Sequence, residues 1–60
     1  MQHERQYVVT LTDHHPKLGG DTVAFRFGTR NEVREWAERE VRDAEAMIPG
    51  TRVTFKIASA

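Results

Sequence analysis

Three short segments of the chain alternate apolar and polar residues with a period of two. They are Tyr7–Thr12, Thr22–Phe27 and Thr51–Ser59, and each is rich in aromatic and β-branched residues. Successive side chains of a β-strand point to opposite faces, so the pattern predicts three strands with one apolar face each. The expected core-facing set is Tyr7, Val9 and Leu11, then Val23, Phe25 and Phe27, then Val53, Phe55 and Ile57.

The segment Thr29–Ile48 instead repeats apolar residues at three- and four-residue intervals, which is the period of an α-helix. Its apolar stripe comprises Val33, Trp36, Ala37, Val41, Ala44, Met47 and Ile48. We expect this stripe to cover the sheet, with Trp36 against Phe25 or Phe55. Opposite charges four residues apart predict a solvated outer face with its own ion pairs, and an acidic surface for a basic partner is the alternative.

Both ends of this helix carry sequence signals. Thr29 followed by Glu32 forms a capping-box pattern, and Asn31 is the rival N-cap residue. At the other end, Pro49 and Gly50 stop the helix, because proline cannot continue it and glycine accepts a left-handed turn.

The element order β-β-α-β predicts a two-layer α+β domain with a three-stranded sheet and one helix on one face. A right-handed crossover over the central strand favours the strand order 2-1-3, and the order 1-2-3 is the alternative. Sixty residues have material for one core, so residues 1–60 form a single domain. Residues 1–6 are polar and are expected to be frayed.

The helix leaves the other sheet face open. Its expected residues are Val8, Thr10, Thr12, Thr22, Ala24, Arg26, Thr54, Lys56 and Ala58. The two outer strands also present unpaired backbone groups, and neither is expected to carry a proline or an inward-facing charge that would block pairing. A domain this small often gains support from self-association, so we expect a homodimer.

The composition argues against several classes of partner and of binding site. Nine Lys and Arg residues balance nine Asp and Glu residues, which removes a general electrostatic attraction to nucleic acid or to anionic membranes. There are no cysteines, which excludes disulfides and thiolate metal sites. The chain has neither a membrane-spanning run nor a signal peptide, so the sequence predicts a soluble, cytoplasmic protein without a membrane partner.

The segment Asp13–Asp21 is a polar loop between the first two strands, and His14, His15 and Lys17 are its candidate binding residues. Imidazole and carboxylate can bind zinc or manganese, but adjacent histidines in an extended segment point apart, so no metal site is expected. The string TLTDHHP is similar, over seven residues, to the motif that names the DHH phosphoesterases. Those enzymes need further aspartates in a larger domain, so no catalytic role follows.

These observations favour a small non-enzymatic protein-interaction module that needs no cofactor and self-associates. Its partner would bind an edge strand, the open sheet face or the charged helix face. The alternative is a DNA-binding regulator that uses the open face and the loop as a ribbon in the major groove. The candidate binding residues of the open face are Thr10, Thr12, Arg26, Arg52, Thr54 and Lys56.

Overall fold

The computed structural model describes residues 3–60. Its elements are β1 (Arg5–Asp13), β2 (Gly20–Gly28), α1 (Arg30–Met47) and β3 (Val53–Ser59). The predicted α+β fold is confirmed, with three strands and one helix in the expected order.

The sheet has the order β2-β1-β3, and β1 is antiparallel to both neighbours. This confirms the predicted order 2-1-3, and the alternative order 1-2-3 is wrong. The central position of β1 follows from the crossover, because α1 carries the chain back over the sheet before β3 begins.

The first strand starts earlier than predicted. Gln6 pairs with Phe27, and its carbonyl accepts the N–H of Ala60 at 3.1 Å. The prediction of a frayed segment at residues 1–6 therefore does not hold for Arg5 and Gln6, because Arg5 pairs with Gly28 of β2 and Gln6 has backbone partners on both sides. Met1 and Gln2 lie outside the described residues.

The start of α1 has the predicted capping box. The Thr29 hydroxyl accepts the N–H of Glu32 at 3.2 Å, and the Glu32 carboxylate accepts the N–H of Thr29 at 2.9 Å. Thr29 is thus the N-cap residue, and Asn31 lies within the helix. Beyond the helix, Gly50 has a φ angle of +84°, the left-handed conformation that favours glycine.

The core lies between α1 and the β1–β3 half of the sheet. Tyr7, Val9, Val33 and Ala37 are buried there, and Leu11, Trp36, Phe55 and Ile57 pack around them. Met47 was expected on the same stripe but is 81% exposed. It lies ten residues after Ala37, which places it about 80° away around the helix axis.

The register of the β1–β2 hairpin gives β2 the orientation opposite to the predicted one. Val9, which is fully buried beneath the helix, lies opposite Ala24, and its neighbours Tyr7 and Leu11 lie opposite Arg26 and Thr22. Directly opposed residues of a pair of strands share one face. The helix-covered face of β2 therefore carries Thr22, Ala24 and Arg26, and the prediction that Val23, Phe25 and Phe27 face the core is wrong.

The physical cause is the length of the loop between the strands. Asp13 is paired with Gly20, so six residues, 14–19, connect β1 to β2. A change of one residue in register moves every side chain of a strand to the other face. Alternation within β2 reveals which residues share a face, but the loop decides which of the two faces meets the helix.

Candidate interaction surface

The sheet face away from α1, called here the open face, consists of every second residue of the three strands. Its members in residues 3–60 are Gln6, Val8, Thr10, Thr12, Asp21, Val23, Phe25, Phe27, Thr54, Lys56 and Ala58. Neighbouring strands place Phe25, Val8 and Ala58 in one row and Val23, Thr10 and Lys56 in the next. The face is therefore apolar toward one end and polar toward the other.

The apolar end is dominated by the edge strand. Val23, Phe25 and Phe27 are 56%, 61% and 71% exposed, and the half-buried Val8 adjoins them on β1. We call these four residues the apolar patch. Isolated surface apolar residues are common, but a contiguous group with two aromatic rings on one sheet face is typical of a binding surface.

The polar end joins the loop to β3. A ring nitrogen of His14, Nε2, lies 2.9 Å from the Thr54 hydroxyl, and the His14 N–H donates to the Arg52 carbonyl at 2.8 Å. His14, Arg52 and Thr54 line one shallow depression. On the same face, Thr12 donates to the Asp21 carboxylate at 2.8 Å. The predicted site residues Thr10, Thr12, Thr54 and Lys56 are on the open face, and His14 and Arg52 lie at its end.

Arg26 does not belong to the open face, contrary to the prediction. It lies on the helix-covered face, where its guanidinium carbon is 4.1 Å from the centre of the Trp36 ring. This is a cation–π distance, and the ring covers one side of the charge. Arg26 is therefore an inward-facing charge on the edge strand, contrary to expectation. Trp36 faces Arg26 and cannot pack on Phe25, which lies on the other side of the sheet.

Of the two remaining loop candidates, His15 makes hydrogen bonds within the loop and, within residues 3–60, Lys17 does not contribute a side-chain contact to the site. The Nδ1 atom of His15 accepts the N–H groups of Lys17 and Leu18 at 3.1 and 3.0 Å, so the His15 ring organises the turn. Lys17 is exposed. Within residues 3–60, no three His, Cys, Asp or Glu side chains group closely enough to hold a metal ion.

Asp13 connects this loop to the segment after the helix. Its Oδ1 atom accepts the N–H of His15 at 2.9 Å and the hydroxyl of Thr51 at 2.8 Å. The backbone hydrogen bond from His15 and the bond from Thr51 lower the pKa of Asp13 below its usual 3.8. At the helix start, the hydrogen bonds with Thr29 lower the pKa of Glu32 below 4.5. Both carboxylates are therefore anions at neutral pH.

Sequence reasoning missed the apolar patch because it assigned those side chains to the core. The sequence of β2 contained no signal for the observed orientation, because its apolar residues alternate with Thr22, Ala24 and Arg26 as they would in a strand with its apolar side buried. Only the register of the hairpin shows which face of β2 meets the helix.

Comparison of the chain with protein-family models, with curated proteins and with solved structures gave no match. Within residues 3–60, no helix is both long enough and apolar enough to cross a bilayer.

Proposed function

We propose that this protein is a non-catalytic interaction module that self-associates by packing the open faces of two copies against each other. The observation that carries the proposal is the exposure of Val23, Phe25 and Phe27, each more than half accessible on one side of an edge strand. Two sheets packed face to face lie about 10 Å apart and bury such side chains between them.

A second copy suits this surface in size and charge. The domain measures 40 by 18 by 11 Å, so only one of its broad sides is large enough to approach the roughly 800 Å² per partner of a standard interface. Lys56 is the one cation among the described residues of the open face, and Asp21 is the one anion. The chain as a whole has no formal net charge, so two copies do not repel each other.

Face-to-face packing suits the apolar patch better than pairing of two β2 edges. Antiparallel β2–β2 pairing about a two-fold axis would place both apolar patches on the same face of a six-stranded sheet. The exposed apolar surface would then become larger and more continuous. Packing of the open faces removes it from water, which is the main favourable term in association. The inward charge of Arg26 on β2 also disfavours edge pairing.

The DNA-binding alternative has weaker support. Arg26 lies on the other face, so the strands offer Lys56 alone, with Arg52 and His14 at one end. The exposed rings of Phe25 and Phe27 are a feature of surfaces that stack single-stranded bases. Binding of single-stranded nucleic acid is therefore one of the outcomes that the test distinguishes.

The test compares oligomeric state across patch and control variants. We expect sedimentation equilibrium to show a monomer–dimer equilibrium for the unmodified chain, with a dissociation constant in the micromolar range. Phe25→Lys places a charge in the middle of the interface and should give a monomer at the same concentrations. Met47→Lys is the matched control, because Met47 is also a large exposed apolar residue but lies on α1, and it should leave the equilibrium unchanged.

Two results would contradict the proposal. A monomer mass that persists to millimolar protein would exclude self-association, and a dimer that survives Phe25→Lys would exclude this face. Circular dichroism of each variant verifies that the fold is retained. In a parallel titration, amide shifts at Phe25 and Phe27 on addition of a single-stranded oligonucleotide, without dimer formation, would favour the nucleic-acid alternative.

A further inference from the structure

β3 lies at an edge of the sheet, so half of its backbone groups have no neighbouring strand. Two hydrogen bonds at the ends of the β1–β3 ladder identify that half. The N–H of Ala60 donates to the Gln6 carbonyl, and the N–H of His14 donates to the Arg52 carbonyl. Because hydrogen-bonded and non-hydrogen-bonded pairs alternate in an antiparallel ladder, the even-numbered residues of β3 bond to β1. The outward backbone groups belong to Val53, Phe55, Ile57 and Ser59, and we call them the β3 edge.

A side chain of α1 agrees with this direction and marks one end of the β3 edge. The Oε2 atom of Glu45 accepts the N–H of Val53 at 3.1 Å, so this N–H points away from β1, as the alternation requires. Within residues 3–60, the outward N–H and C=O groups of Phe55 and Ile57 have no such partner. These two residues therefore offer the hydrogen-bonding positions for an added strand.

The two edges of the sheet differ in their protection. β2 carries Arg26 on its helix-covered face, and an inward-facing charge opposes the addition of a further strand. The helix-covered residues of β3 are instead the uncharged Val53, Phe55 and Ile57. Phe55 and Ile57 are only half-buried. A strand added at the β3 edge would therefore cover apolar surface in addition to pairing backbone groups.

Lys56 determines which residue the added strand should place on the open face. It lies between Phe55 and Ile57 and is exposed, and among residues 3–60 it takes part in no ion pair. Directly opposed residues of neighbouring strands attract when their charges are opposite and repel when they are alike. An acidic residue opposite Lys56 is therefore favourable. A second copy of β3, aligned with Phe55 opposite Ile57, would instead place two Lys56 side chains opposite each other.

We propose that the β3 edge binds an extended segment of a partner protein as an additional strand of the sheet. The segment runs antiparallel to β3, because antiparallel pairing is slightly more stable per residue than parallel pairing. It has apolar residues opposite Phe55 and Ile57 and an acidic residue opposite Lys56. Backbone hydrogen bonds supply the affinity, and the alternate side chains supply the selectivity. The β3 edge is remote from the apolar patch on β2, so the inference does not depend on self-association.

The test is an amide NMR titration of the labelled Phe25→Lys chain with the synthetic peptide acetyl-Thr-Val-Glu-Val-Thr-amide. This variant removes the centre of the apolar patch, so that peptide binding is measured apart from self-association. We expect saturable shifts of the Phe55 and Ile57 amides, together with slower hydrogen exchange, because both N–H groups gain an acceptor. The amides of Val23 and Phe27 on the opposite edge should not respond.

Modified peptides test the backbone pairing and the charge separately. In the proposed register both valines direct their N–H groups toward β3, and the glutamate directs its N–H away. N-methylation of the two valines should abolish the saturable shifts, whereas N-methylation of the glutamate should leave them unchanged. Replacement of the glutamate by lysine should raise the dissociation constant about fivefold. Lys56→Glu should reverse this preference, and Lys17→Glu, with the same charge change in the exposed loop, should not.

Three results would overturn the proposal. The first is the absence of saturable shifts at Phe55 and Ile57, or their appearance at β2 instead. The second is equal binding of the peptide with N-methylated valines, or a peptide preference that Lys56→Glu leaves unchanged. The third is a Phe25→Lys chain that dimerises with protection of the Phe55 and Ile57 amides, which would assign the β3 edge to a second copy.

Discussion

The orientation of β2 can be tested by comparing a truncation in the core with a truncation in the apolar patch. Val9 is fully buried, so Val9→Ala loses about 1.6 kcal/mol of transfer free energy for the two carbon groups removed. The cavity raises the expected loss to about 2–3 kcal/mol. Phe27 is 71% exposed and thus 29% covered. Scaled from about 3 kcal/mol for complete burial, Phe27→Ala should cost less than about 1 kcal/mol.

The assay is urea denaturation followed by far-ultraviolet circular dichroism at low protein concentration, where association does not contribute. With a slope of about 1 kcal/mol per molar urea, Val9→Ala should lower the midpoint by about 2–3 M and Phe27→Ala by less than about 1 M. A buried phenylalanine would lose about 3–5 kcal/mol on the same change, as much as the whole stability of about 3–5 kcal/mol expected for so small a core. Unfolding of the Phe27→Ala chain at low concentration would refute the register described above.

Three further predictions concern the caps, the loop and acid stability. Thr29→Ala removes one acceptor of the capping box and should lower the free energy of unfolding by about 1 kcal/mol, with Thr29→Ser restoring most of it in the same denaturation assay. Gly19→Ala should lower the melting temperature, because the added Cβ would collide with the His15 carbonyl oxygen; an unchanged melting temperature would contradict this close approach. The fold lowers the pKa values of Asp13 and Glu32, so the ionised carboxylates contribute to stability above about pH 4.5. This contribution is lost as the pH falls below 4.5 for Glu32 and below 3.8 for Asp13. Asp13→Asn should flatten the dependence of stability on pH in this range, whereas Asp43→Asn on the exposed face of α1 should not.

Much of the fold could be predicted from local pattern. The period of each segment identified the strands and the helix, the Thr29–Glu32 pair located the start of α1, and the handedness rule selected the central strand. These features depend on residues close together in sequence, or on a rule that holds for most crossovers. The end of the helical stripe was less accurate, since Met47 is displaced around the axis although its spacing from Ala44 fits the period.

The candidate surface was predicted only in part, for a reason that lies in the hairpin. Thr10, Thr12, Thr54 and Lys56 were assigned to the correct face because β1 and β3 have one buried side each. Arg26 was not, because β2 was oriented by assuming that its apolar side is buried. Burial of apolar surface is a tendency of the whole chain, and it does not determine the face of an edge strand over which the helix packs only lightly.

The apolar patch and the cleft between α1 and the loop end of the sheet, lined by Leu11, Gly20 and Thr22 among others, have a common origin in the six-residue connection between Asp13 and Gly20. Because this connection sets the register, Phe25 and Phe27 lie toward solvent while Gly20, Thr22 and Ala24 lie toward the helix. This register therefore exposes the large side chains of β2 on one face and leaves a cleft beside Glu40 on the other. A strand with its apolar side buried would have filled the cleft and removed the patch together. The edge strand thus contributes less to the stability of the single chain than its composition suggests, and its apolar residues are available for contact with another molecule.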